Sequence, residues 1–166
     1  MNLNRITTWV CWGLFGLAAV PIAQSVESKD KDDPRLARLT YFLQANKSPV
    51  SHLAVDFLAA ADRHGLDWRL LPAIAMVESG AGIAHARNNI FGWNSAKTGF
   101  ASIKQGIYEV ARKLSQSRLY REKDLEGVLE TYNRNSGYSG RVKRFMLKVS
   151  ATEPLRARWT NPSVAD

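Results

Sequence analysis

The segment Leu70 to Gly80 reads Leu-Leu-Pro-Ala-Ile-Ala-Met-Val-Glu-Ser-Gly, so an uncharged apolar run leads straight into Glu78. On a helix, Leu71, Ile74, Ala75 and Glu78 share one face at i, i+3, i+4 and i+7. The carboxyl therefore continues a stripe meant for burial. It also falls in the last turn, where the helix dipole is negative. Desolvation and dipole both disfavour the ionised form and push the pKa upward. A carboxylic acid that stays protonated toward neutral pH is what general-acid catalysis requires. The plain alternative, a helix-end glutamate reaching solvent, is weakened by the apolar stripe.

The residues after Glu78 extend this chemistry. Between Ser79 and Tyr108 there is no Asp or Glu; Arg87, Lys97 and Lys104 occur instead, with Asn88, Asn89, Asn94, Phe91 and Trp93. Amides bond hydroxyl and acetamido groups, and aromatic rings stack on sugar faces, so this composition suits a carbohydrate. One of Phe91 and Trp93 is expected to pack under the loop as core. Glycosidases usually use two carboxylates, ~5–5.5 Å or ~6.5–9.5 Å apart. The candidates for a second, Glu109, Asp124, Glu126 and Glu130, all fall on expected helices with surface-like spacing. One carboxylate, serving first as acid and then as base, is the more economical mechanism.

Helices must position these groups. Asp33-Pro34 is a capping residue with proline at the first helical position, followed by Leu36, Leu39 and Leu43 on one face. Ser48-Pro49 repeats the signal for a helix through Ala61 that Gly65 ends. Asp67 is expected to cap Trp68 to Ser79, with Gly80 closing it. Residues 81–101 lack periodicity and read as loop. Ser102 and Asp124 start two further helices, Gly137 breaks the second, and Tyr138 to Val149 forms the last, with Val142, Phe145, Met146 and Val149 in register. No alternating segment is long enough for a strand. The expected class is all-α.

Composition narrows the function. The chain has 166 residues, 45% of them apolar, which suits one domain with a packed core. Its single cysteine, Cys11, excludes a disulfide framework and any multi-thiolate zinc site. His52, His64 and His85 lack metal-site spacing, and no glycine-rich phosphate loop is present. No metal or cofactor is expected. Arg5, the uncharged stretch Ile6 to Val26 and the small residues Ala23 and Ser25 form an export signal, with cleavage after Ser25 or retention as an uncleaved anchor. The expected organisation is a signal at 1–25, a charged linker at 26–33, a helical domain at 34–152 and a loose tail at 153–166. Losing Arg5 would lower the formal charge from +8 to +7, still enough to draw the domain to polyanions in a salt-dependent way. Export argues against nucleic acid as that polyanion.

The ordered set Glu78-Ser79-Gly80, Asn88-Asn89-Ile90-Phe91-Gly92-Trp93, Phe100-Ala101-Ser102 with Gly106-Ile107, and Tyr132-Asn133 with Tyr138 and Val142 resembles a known family. It is similar to the glucosaminidase-type branch of the lysozyme-like superfamily and to lytic transglycosylases, over about Leu70 to Val149. The resemblance implies a lysozyme-like helical fold and cleavage of the β-1,4 bonds of peptidoglycan between N-acetylmuramic acid and N-acetylglucosamine. By position it implies Glu78 as catalytic acid and Ser79, Asn88, Asn89, Phe91, Trp93, Tyr132, Asn133 and Tyr138 as substrate-binding residues. Two departures stand out: no Gly-Leu-Met-Gln element follows Glu78, and the acid-rich insertion that carries a second carboxylate in some glucosaminidases has no counterpart. The expected activity is that of a lytic transglycosylase. The alternatives are a hydrolase of the same fold and a non-catalytic wall-binding or scaffold protein. The expected partners are peptidoglycan and a cell-envelope assembly, in the periplasm or cell envelope, with the inner membrane touched only through the N-terminal signal or anchor.

Overall fold

In the computed structural model, which describes residues 33–95 and 97–152, the Asp33 carboxylate accepts the backbone N–H of Arg35 at 2.8 Å and opens helix α1, Pro34–Ala45. The expected export signal, most of the linker and the C-terminal tail lie outside the described residues. Leu39, Phe42 and Leu43 turn the buried face of α1 inward.

The second helix begins later than Ser48-Pro49 suggests. A single 3-10 turn, Ser51–Leu53, precedes α2, Ala54–Arg63. Ser48 does not cap it, because its hydroxyl donates to the Ala81 carbonyl at 2.7 Å, 33 residues along the chain. Gly65, at φ +62°, follows the end of α2 as expected. Asp67 is likewise displaced from its expected role. Its Oδ1 accepts the Arg69 N–H at 2.9 Å, which makes residues 67–69 a turn, and α3 runs from Leu70 to Ser79. Pro72 lies in the first turn, where no intrahelical N–H is needed. Gly80, at φ +63°, closes α3, and the Ala81 N–H returns to the Ala75 carbonyl at 2.8 Å.

The described residues of 81–101 form no helix. Ser102 then caps α4, Ile103–Gln116, by accepting the Gln105 N–H at 3.1 Å. Asp124 caps α5, Leu125–Tyr132, through the Gly127 N–H at 2.9 Å. This helix stops at Tyr132 and not near Gly137, because Asn133 is extended and its side chain accepts the Asn135 N–H at 3.0 Å. Gly137, at φ +79°, opens α6, Tyr138–Ala151. Among the described residues there is no strand, only an isolated bridge between Ala86 and Asn89. None of the described helices is long and apolar enough to cross a membrane.

The fold is mainly helical, with α3 at its centre. Leu71, Ala73, Ile74 and Ala75 have no exposed surface. A helix apolar on nearly every side must be wrapped by others. It lies along α6, while α2 packs on α4 and α1 touches both α2 and α6. Phe57, Leu39, Leu43, Ile107, Leu129 and Val142 complete the core. Each such side chain contributes roughly 1.5–3 kcal/mol by leaving water. The buried Asp56 carboxylate, 2.8 Å from the Lys104 ammonium, ties α2 to the start of α4. The consequence for function is that α3 is clamped along its length and presents its C-terminal turn, with Glu78, at a fixed place.

Candidate active site

Glu78 ends the buried stripe of α3 and is itself half-buried. Desolvation is the largest influence on its carboxyl and raises the pKa; the neighbouring Tyr138 hydroxyl and the Arg141 charge pull partly the other way. The net shift is upward. The backbone of Gly92 presses on this carboxyl. Gly92 adopts φ +58°, and a β-carbon added there would lie 2.6 Å from Oε2 of Glu78. Both the left-handed conformation and the close approach call for glycine.

The loop over Glu78 is fastened from inside. The Ser79 hydroxyl donates to the Ile90 carbonyl at 2.7 Å and accepts the Gly82 N–H at 2.9 Å. Asn89 is buried; its Oδ1 accepts the Trp93 N–H at 3.0 Å, and its Nδ2 donates to the carbonyls of Trp93 and Thr98 at 3.0 and 2.9 Å. These partners fix which way the amide points. Phe91 is fully buried and meets Phe57 edge-on, with ring centroids 6.3 Å apart. The Tyr132 hydroxyl donates to the Phe91 carbonyl. Such bonds hold Arg87, Asn88, Asn94 and Ser95 at φ between +53° and +58°, a costly region for residues other than glycine.

Three of the expected substrate contacts lie inside the loop. Ser79, Asn89 and Phe91 face inward and are engaged within the protein, where they shape the loop. Asn88 lies apart from them. It donates to the carbonyls of Phe100 and Ala101 at 3.0 and 3.3 Å and lines a separate cavity of about 390 Å³ with His52 and His85.

Glu78, Trp93, Tyr132 and Asn133 do come together, along a groove of about 640 Å³. Trp93 packs against Tyr132 in a T-shape, with centroids 5.6 Å apart, and against Tyr120 at 6.1 Å. Tyr132 stacks on Tyr138 at 6.0 Å, with 7° between the rings. Tyr138 sits behind the groove wall, buried. Its hydroxyl has no partner in hydrogen-bond geometry among the described residues, yet it is close enough to Glu78 for each to shift the other's titration. Burial and then the Glu78 charge push the Tyr138 phenol far up. Burial does the same for Tyr132.

Among the described residues lining the groove, Glu78 is the only acid, while Lys113 and Arg134 are cations. The acids considered as second carboxylates lie elsewhere. Glu109 is gripped by Arg112 at 2.7 and 2.9 Å, Glu126 pairs with Lys143 at 2.6 Å, Asp124 caps α5, and Glu130 is exposed. Among the described residues, no three His, Cys, Asp or Glu side chains gather where they could hold a metal ion.

Lys113, Tyr120 and Arg134 join the site without having been singled out by residue type, and Gly92, already part of the loop motif, joins it through its backbone. Tyr120 carries a weak sequence signal, an aromatic residue between Arg118 and Arg121 in a non-periodic stretch. Comparison of the chain with protein-family models, curated proteins and solved structures gives no match.

Proposed function

We propose that the protein cleaves the glycan strands of peptidoglycan at β-1,4 bonds, with Glu78 as the single acid and base, on a lysozyme-like helical fold. The observation that carries this reading is a desolvated glutamic acid, the one acid among the described residues that line an aromatic-walled groove. Burial keeps Glu78 protonated at a pH where an exposed carboxyl is ionised. Trp93 and Tyr132 offer partly exposed ring surface for sugars, with Tyr120 backing Trp93, and Asn133 supplies an amide. The central α3, wrapped by the other helices with its acid at the C-terminal end, supports the fold reading.

In the reaction, Glu78 gives its proton to the glycosidic oxygen as the bond from that oxygen to the anomeric carbon breaks. The substrate's own acetamido oxygen closes on that carbon and bears the positive charge. The leaving chain departs as an alcohol. Glu78, now a carboxylate favoured by Tyr138 and Arg141, takes the proton of the sugar's 6-hydroxyl, whose oxygen displaces the acetamido group. The acid is regenerated and a 1,6-anhydro end forms. A water molecule in place of the 6-hydroxyl gives hydrolysis instead.

The test is digestion of purified peptidoglycan by wild type and Glu78→Gln, with products read by mass spectrometry. Anhydro-muropeptides that vanish in the variant are expected. Reducing ends would assign a hydrolase. No release by wild type would turn the reading to wall binding.

A further inference from the structure

Asn133 and Arg134 line two cavities at once: the groove at Glu78 and a second cavity of about 470 Å³ between α5 and the start of α6. The two spaces are therefore neighbours that meet at one short segment. This segment is fixed, because Asn133 Oδ1 accepts the Asn135 N–H at 3.0 Å. Arg134 is exposed there and makes no ion pair or hydrogen bond among the described residues. That separates it from other arginines of the fold, such as Arg35, Arg69 and Arg112, each bonded to a carboxylate.

The charge around it is lopsided. Lys113, the other cation of the groove, is only loosely engaged, 3.8 Å from Glu109, whose carboxylate is already taken by Arg112. In the second cavity Glu126 is neutralised by Lys143, which leaves the exposed Glu130 as the acid on that side. With Glu78 protonated, the described residues that line the groove carry positive charge and no anion. Sugar hydroxyls accept equally well from amides and from a guanidinium, so a neutral sugar gives no particular reason for an arginine. A carboxylate on the glycan does need one, since the planar fork matches it bidentately.

We propose that Arg134 is a specificity-determining residue: it binds a carboxylate carried by the glycan where the strand passes from the groove at Glu78 into the second cavity. This rests on the glycan reading of the same groove. The carboxylate can come from the lactyl ether of the sugar or from an attached peptide.

The test measures binding to full-length protein carrying Glu78→Gln, so that no ligand is consumed. Three probes are used: a peptide-free oligomer of alternating N-acetylglucosamine and N-acetylmuramic acid, the same oligomer bearing peptides, and neutral chitotetraose. Arg134→Gln in that background is expected to weaken an acidic probe about five- to tenfold. Chitotetraose should be unchanged, and Arg134→Lys should restore part of the loss. Loss on the peptide-free oligomer assigns the lactyl group; loss confined to the peptide-bearing one assigns the peptide. Equal affinities for variant and parent on all three, or equal losses on all three, overturn the inference and leave the glycan reading standing. A parent that binds none of the three overturns that reading and the inference with it. Thermal melting confirms that the variant is folded.

Discussion

Replacing Gly92 by alanine tests whether the position of the Glu78 carboxyl matters. The new β-carbon would meet Oε2 at 2.6 Å, and ordinary contact begins at 3.4 Å, so one of the two must move by about 0.8 Å. The carboxyl is the end of a flexible side chain and will be the one to move. Two costs follow. The left-handed φ of +58° strains alanine by about 1–2 kcal/mol, a loss of stability. The displaced acid loses its aim at the glycosidic oxygen, and misplacement by ~1 Å costs about a hundredfold in rate. Gly65 supplies the control: its φ is +62° and nothing lies within 4 Å of an added β-carbon. Gly65→Ala should share the stability loss and keep full activity. Urea unfolding gives the first quantity, and release of soluble muropeptides gives the second. If Gly92→Ala works as fast as Gly65→Ala, either Glu78 is not the acid or its position is not held by the loop.

The raised Glu78 pKa sets the pH behaviour: cleavage should fall as pH rises through that pKa, above the ordinary value of 4.5. Arg141→Gln removes a charge that favours the ionised form, so it should move that limb to higher pH; an unmoved or lowered limb in the pH–rate profile contradicts this. Stability follows the same titration. Between 4.5 and the raised value the folded chain keeps a proton that the unfolded chain releases, so wild type loses stability as pH rises across that window. Glu78→Gln should lack this slope and be the more stable protein at pH 7; urea midpoints that track wild type from pH 4 to pH 7 would show that Glu78 is not desolvated. Ser79→Ala leaves the Ile90 carbonyl and Gly82 N–H without their buried partner and should cost about 2 kcal/mol in urea unfolding, with activity falling as the loop loosens. A loss under about 0.5 kcal/mol, as surface changes give, would refute that role. Phe91→Ala should cost about 3–5 kcal/mol as a core deletion. Trp93→Ala should show itself as a KM about tenfold higher, the worth of roughly 1.4 kcal/mol of ring contact; the reverse pattern would exchange their roles.

The local sequence settles what short-range physics decides. Capping bonds reach only two or three residues, so Asp33, Ser102 and Asp124 mark real helix starts. The period of the apolar stripe places Glu78 at the edge of the core, because a helix face repeats the same way whatever packs on it. The lack of periodicity in residues 81–101 marks the loop. Partners far along the chain leave no such trace. The Ser48 hydroxyl resembles a cap until the Ala81 carbonyl is brought beside it. Asn89 and Phe91 resemble ligand contacts until the loop folds inward and uses them as its own fasteners. The groove draws on the end of α3, the loop at Gly92 and Trp93, the end of α4, Tyr120 and the segment after α5. No spacing in the sequence encodes that meeting. Only packing around α3 brings Arg134, which has no partner among the described residues, to the lining of an acid-bearing groove.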